Sequence, residues 1–152
     1  MRSNSLALVA ASALMLAGCG GPTFSLLKPV YPEAGNPLYA TKVDNLQPTF
    51  RWEAAKEPGV VYDFILYECI GEYIDRMVGR ELYYREGLTA TEHQIEYTLV
   101  PGKEYFWTVR LREGDKVSGW ATYNYTPTMA DSLIHSDVTG RNLYFLIATP
   151  KK

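Results

Sequence analysis

The chain has 152 residues, a formal net charge of −2, 47% hydrophobic and 13% aromatic residues, with 12 tyrosines and 2 cysteines. That length makes one domain with room for a sizeable core, and the slight acidity gives neither nucleic acid nor an anionic bilayer an electrostatic hold. Two cysteines are too few for a disulfide framework or for a zinc site of several thiolates.

Met1 and Arg2 make a short positive start, and Leu6 to Leu16 is almost wholly apolar. This run is too short to span a bilayer, which takes roughly 20 apolar residues. It has the length of the hydrophobic region of a secretory signal. It stops at Leu16-Ala17-Gly18-Cys19. That motif resembles the lipobox of bacterial lipoproteins. The resemblance implies that the Cys19 thiol takes a diacylglyceryl group, that a peptidase removes the signal peptide 1–18, and that the freed amino group of Cys19 is acylated. The residue types suit that chemistry: a thiol is the nucleophile, and Ala17 and Gly18 are small enough for a protease cleft. Each buried acyl CH₂ contributes about 0.8 kcal/mol and one chain anchors only marginally, so several chains hold firmly. Gly20 rather than Asp, by the same resemblance, implies transfer to the outer membrane, with the domain facing the periplasm. Residues 19–28 are then the lipidated cysteine and its tether, and 29–152 the domain.

Strand signals follow in order. "LLKPVYPEAGNP" (26–37) allows a short edge strand around Lys28 to Tyr31, since proline in a strand implies an edge. "PTFRWEA" (48–54) puts Phe50 and Trp52 on one face. "VYDFILYE" (61–68) puts Tyr62, Phe64 and Leu66 on one face and Asp63, Ile65 and Tyr67 on the other. "RELYYREG" (80–87) predicts a shorter strand ending at a glycine turn, and "EHQIEYTLV" (92–100) alternates through Ile95, Tyr97 and Leu99. "EYFWTVRLRE" (104–113) alternates most cleanly, with Tyr105, Trp107, Val109 and Leu111 against Thr108, Arg110 and Arg112. Period-2 alternation with turn signals between the runs predicts an all-β, antiparallel β-sandwich or barrel.

"LVPGKEY" (99–105) narrows the choice. Leu99, Pro101 and Tyr105 resemble the Leu-x-Pro-x-x-x-Tyr signature of fibronectin type III domains, a relative of the immunoglobulin-like sandwich. The resemblance implies a tyrosine corner at Tyr105. It makes Trp52 the strand B tryptophan, lets Tyr62 open strand C, and makes "GDKVSGWATY" (114–123) the F–G turn and the start of strand G. Trp107 is then an inward residue of strand F. The end of the chain departs from the pattern, because "NLYFLIATP" (142–150) is a strong strand beyond the usual finish. Either strand G is 118–125 and this strand is extra, or Asn142 to Thr149 is strand G and about 126–141 is a long inserted loop. The second reading is preferred here, and loops of that length are often functional.

The catalytic inventory is thin. His93 and His135 are far apart, and no H-x-x-x-H, G-x-S-x-G or phosphate-cradling glycine loop appears. Glu53, Glu57, Asp75 and Arg76 read as solvated charges, and Cys69 as a structural thiol. The sequence therefore predicts no enzyme, no metal and no cofactor. Two sets remain for recognition. Arg110, Arg112 and Trp120 share an outward face, where they form either a structural cation–π ladder or a contact. Tyr83, Tyr84, Tyr123 and Tyr125 are good strand residues and also good interface residues. The expectation is a lipid-anchored binding module that holds a protein partner in an envelope assembly. A glycan-binding module, with Tyr and Trp stacked on sugar rings, is the alternative.

Overall fold

Alternation decides the architecture, because it hands each strand one face to bury. The computed structural model describes residues 27–35, 38–123 and 144–151. The signal segment, Cys19, the tether before Leu27, Tyr125, His135 and the loop expected at 126–141 lie outside the described residues. The described residues form an all-β sandwich. In chain order its strands are β1 (Pro29–Tyr31), β2 (Thr41–Lys42), β3 (Thr49–Trp52), β4 (Val61–Ile70), β5 (Met77–Leu88), β6 (Glu92–Gln94), β7 (Glu104–Glu113), β8 (Lys116–Val117) and β9 (Phe145–Ala148). A 3₁₀ turn, Tyr73–Asp75, lies between β4 and β5. One sheet has the order β1-β3-β6 and the other β2-β9-β7-β4-β5, with β8 also on β7. Pairing is antiparallel except at β2, which runs parallel to β9 with Thr41 opposite Ile147.

The two sheets meet on the faces the alternation marks. Phe50 and Trp52 of β3, Tyr62, Phe64 and Leu66 of β4, and Tyr105, Trp107, Val109 and Leu111 of β7 are all buried. The Phe50 ring lies 4.8 Å from Trp107 and 4.9 Å from Phe64, and Phe145 lies 5.2 Å from Trp107. Each such ring removed from water stabilises by about 1.5–3 kcal/mol. The Tyr105 hydroxyl accepts a hydrogen bond from the Val100 N–H at 2.9 Å, so the turn through Pro101 is tied to the strand that follows it.

Three sequence expectations change. The strand expected at 80–87 runs from Met77 to Leu88, and Gly87 lies inside it at φ 72° instead of closing it. There the register against β4 shifts, Tyr62 facing Leu88 and Phe64 facing Arg85, which is a bulge. Bulges and the charges of Arg80, Glu81, Arg85 and Glu86 blunt this strand, which among the described residues is the sheet's edge, against other strands. Secondly, the ladder expected over 92–100 ends at Gln94, because β3 offers partners only from Thr49 to Arg51. Beyond it Ile95 and Leu99 are buried, Tyr97 is exposed, and the Leu99 N–H bonds to the Leu46 carbonyl. Thirdly, the two candidates for strand G are not rivals. They lie end to end on one edge of β7: β9 pairs with Glu104 to Trp107, and β8 with Arg112 and Glu113. The Ser118 and Ala121 N–H groups carry the second half on, bonding to Leu111 and Val109 carbonyls. Tyr123 and Phe145 meet ring to ring at 5.1 Å where the halves join.

The two ends of the sandwich differ in what reaches them. The Glu53 N–H bonds to the Lys28 carbonyl, and Trp52 packs at 5.5 Å on Tyr62 near the start of β4. The chain therefore enters beside the start of β4. The end of β4, the turn to β5, the corner at 97–103 and the last residues of β9 gather at the other end, about 30 Å away at the rise of a β-strand.

Candidate functional site

The outward face of β4 and β7 brings together four residues the sequence singled out. Asp63 of β4 stands opposite Arg110 of β7 and is fully buried. Arg110 Nε donates to its Oδ2 at 2.8 Å, while Arg112 donates from Nε to Oδ1 at 2.9 Å and from Nη2 to Oδ2 at 2.7 Å. The Tyr84 hydroxyl and the Gly87 N–H add longer bonds of 3.3 Å each. Glu86 accepts a further bond from Arg112 at 3.2 Å, and the Trp120 ring covers Arg110 at 4.4 Å. Burial pushes the Asp63 carboxyl up, but the bonds from Arg112, Arg110 and Gly87 outweigh it, and its pKa lies below the ordinary value. Two cations meet two carboxylates here, so the network is closed and neutralised. Asp63 is the member the sequence reading passed over. Its signal was an acid in mid-strand flanked by large apolar neighbours.

The other predicted residues lie apart from this face. Tyr83 turns inward, edge-on to Phe64, and its hydroxyl shares a 2.7 Å hydrogen bond with His93 Nε2. Glu96 accepts a weaker bond from the same hydroxyl and pairs with Arg85, which also lies 5.1 Å over the Tyr83 ring. His93 thus pins β6 to β5 across the open side of the sandwich. Burial holds its pKa below the usual value, Glu96 opposing and Arg85 adding to the shift. Tyr123 lines a cavity of about 500 Å³ with Leu27, Pro29 and Phe145, beside the join in strand G. Cys69 is a free thiol whose pKa is pushed up to about 11, first by burial and then by Glu104. That favours the inert thiol over a reactive thiolate. No group of three or more metal-ligating side chains occurs among the described residues.

The structure reveals a second region that the sequence reading left as solvated charge. The Arg76 side chain, between the 3₁₀ turn and β5, is only 11% exposed. Its guanidinium grips Glu104 at 2.6 and 2.9 Å, the Leu38 carbonyl at 2.8 Å and the Tyr73 carbonyl at 3.3 Å. Gly71 at φ 83° completes the turn, and a Cβ there would lie 2.4 Å from the Asp75 carbonyl oxygen. Tyr73 itself sits at φ 50°, a conformation that costs a non-glycine residue about 1–3 kcal/mol. The hairpin so built is firmly held, yet Ile70, Tyr73 and Met77 stand 48%, 70% and 63% exposed on it. Tyr97 and Val100 are exposed on the neighbouring corner, and Tyr39, next to Leu38, flanks Arg76. Glu68, near the end of β4, stands opposite Tyr105, whose hydroxyl holds the Val100 N–H, so corner and hairpin adjoin. Among the described residues only two other large apolar side chains, Val30 and Val117, are as exposed.

Comparison with known proteins leaves these sites to be read on their own geometry: no family model, no curated protein and no solved structure matches the chain.

Proposed function

We propose that this is a lipid-anchored, fibronectin type III-like sandwich of the cell envelope that holds a protein partner, as an accessory part of a larger assembly. One observation carries the reading: the exposed apolar side chains concentrate on a rigid end about 30 Å from where the chain enters the domain. Exposed apolar side chains gathered at one end mark contact sites in soluble domains. The run Leu16 to Cys19 supports the anchor, and on that reading the contact end is the one farther from the lipid. The sheet orders β1-β3-β6 and β9-β7-β4-β5 and the Tyr105 corner bond support the fibronectin type III likeness. Glycan stacking is the second reading, and the bare rings of Tyr39 and Tyr73 favour it.

The test is purification from detergent-solubilised envelopes, comparing the parent with an Ile70→Glu, Met77→Glu variant. A stable protein partner that leaves with the variant supports the holding role. Glycan-array binding by the parent with no protein partner supports the sugar reading and overturns the first. For the anchor, Cys19→Ala should leave a larger precursor without acyl label; normal processing and membrane retention would refute the lipobox.

A further inference from the structure

The hairpin between β4 and β5 carries its own charge pattern around its apolar tip. Glu68, Glu72 and Asp75 are exposed there, without an ion-pair partner among the described residues. The cation of the turn, Arg76, is spent on Glu104 and barely reaches solvent. The next exposed cation along the hairpin, Arg80, is further up β5, and the lysines of this end, Lys42, Lys103 and Lys151, belong to β2, the corner and the segment after β9. The tip is thus an apolar projection of Ile70, Tyr73 and Met77, and the exposed charges of the hairpin beside it, Glu68, Glu72 and Asp75, are all acidic. It is also preorganised. The four bonds of Arg76, its guanidinium 5.6 Å from the Tyr73 ring, and the closed space at Gly71 leave the backbone little freedom to lose. A rigid projection binds with less ordering cost than a flexible one.

Resting on the reading that the chain holds a protein partner, we infer that this hairpin docks into an apolar recess of the partner rimmed by lysine or arginine. The apolar tip supplies area, and the carboxylates set orientation and speed of encounter through complementary charge. The same carboxylates argue against the other occupants. A second copy of the hairpin would set three acids against three, and an anionic bilayer would repel them.

The experiment places a photo-cross-linking phenylalanine derivative at Tyr73 of the full chain in the cells that make it, with Val117 at the opposite end as control. The expected result is a protein adduct from position 73 and none from 117. The cross-linked peptide of the partner should hold apolar residues flanked by Lys or Arg. Charge reversal by Glu72→Lys with Asp75→Lys should lower the adduct yield about tenfold, as for loss of a strong interfacial contact, with an unchanged thermal melt. An adduct to a second copy of this chain, to lipid or to glycan overturns the inference. So does a partner peptide without cations, or a yield that charge reversal leaves alone. A partner adduct from 117 but not 73 overturns the hairpin as the site and leaves the holding role standing. Absence of protein adducts from both, with no partner on purification, sinks the holding role itself. Should the position 73 derivative lower the melt, Met77 takes the cross-linker instead, with the same outcomes.

Discussion

On the outward face of β4 and β7 the ionised side chains are covered and paired, whereas at the 70–77 hairpin the apolar ones stand in water. Asp63 is fully buried between Arg110 and Arg112, while Tyr73 is 70% exposed. Residue type alone would have reversed the two, giving recognition to the arginines and structure to the tyrosine. Pairing decides instead. A carboxylate with its charge-assisted bonds made has little left to offer a partner, and an exposed ring on a locked turn still has its burial energy to gain. The arginines therefore spend their charge within the fold, while the hairpin keeps apolar surface in water.

The core sets the scale for testing that contrast. Trp107→Ala should destabilise by about 3–5 kcal/mol, because it empties the centre of the aromatic cluster; a neutral result in a denaturant melt would overturn the inward assignment of β7. Next comes the outward face. Asp63→Ala should cost about 3 kcal/mol, since it strands two largely covered cations. A loss below half that would make the network ornamental and reopen Arg110 and Arg112 as a binding surface. The same network has a pH signature. Because the folded Asp63 pKa is depressed, its stabilisation is present above the ordinary value of 3.8 and lost as pH falls through the folded pKa. Acid melts of the parent should show that loss, and those of Asp63→Ala should not.

Smaller effects sharpen the comparison further. Tyr105→Phe should cost of order 1 kcal/mol, because the Val100 N–H loses its acceptor. His93 is held neutral by burial, so the unfolded chain takes up its proton first. Stability should then fall as pH drops below the ordinary histidine value of 6.5 towards the folded pKa. His93→Gln should flatten that slope in melts across this range. The smallest expected change in stability is at the hairpin: Met77→Ser should shift the melt by no more than about 0.5 kcal/mol, as exposed positions do. If it cost as much as Tyr105→Phe, the hairpin would be a structural element and the contrast would fail.

How far these regions were legible in the sequence follows from the range of the signals. Phe50, Trp52, Phe64 and Trp107 could be placed inside because alternation is a local property with a period of two. The full length of β5 could not, since bulges at Gly87 and near Glu81 break the period that marks a strand. β2 was missed because two residues hold no period at all, and its parallel partner, β9, is far along the chain. The arginine–tryptophan contact was visible as one of two readings of a shared outward face, but the acid that organises it was not. The one local mark of Asp63 was its place between large apolar neighbours in mid-strand; the arginines that compensate its burial lie nearly fifty residues away.

The sequence by itself determined the class of fold, the inward faces of β3, β4 and β7 and the corner at Tyr105, all of which depend on residues close together in the chain. Tertiary structure alone decided that two segments share the edge of β7, because edge positions are filled by whichever chain can reach their unpaired backbone groups. It alone decided that Arg76 is spent on Glu104 while Tyr73 is left bare. That choice rests on which side chains the sheet order brings within reach of each other, and a charge or a ring shows its purpose only once its neighbours are known.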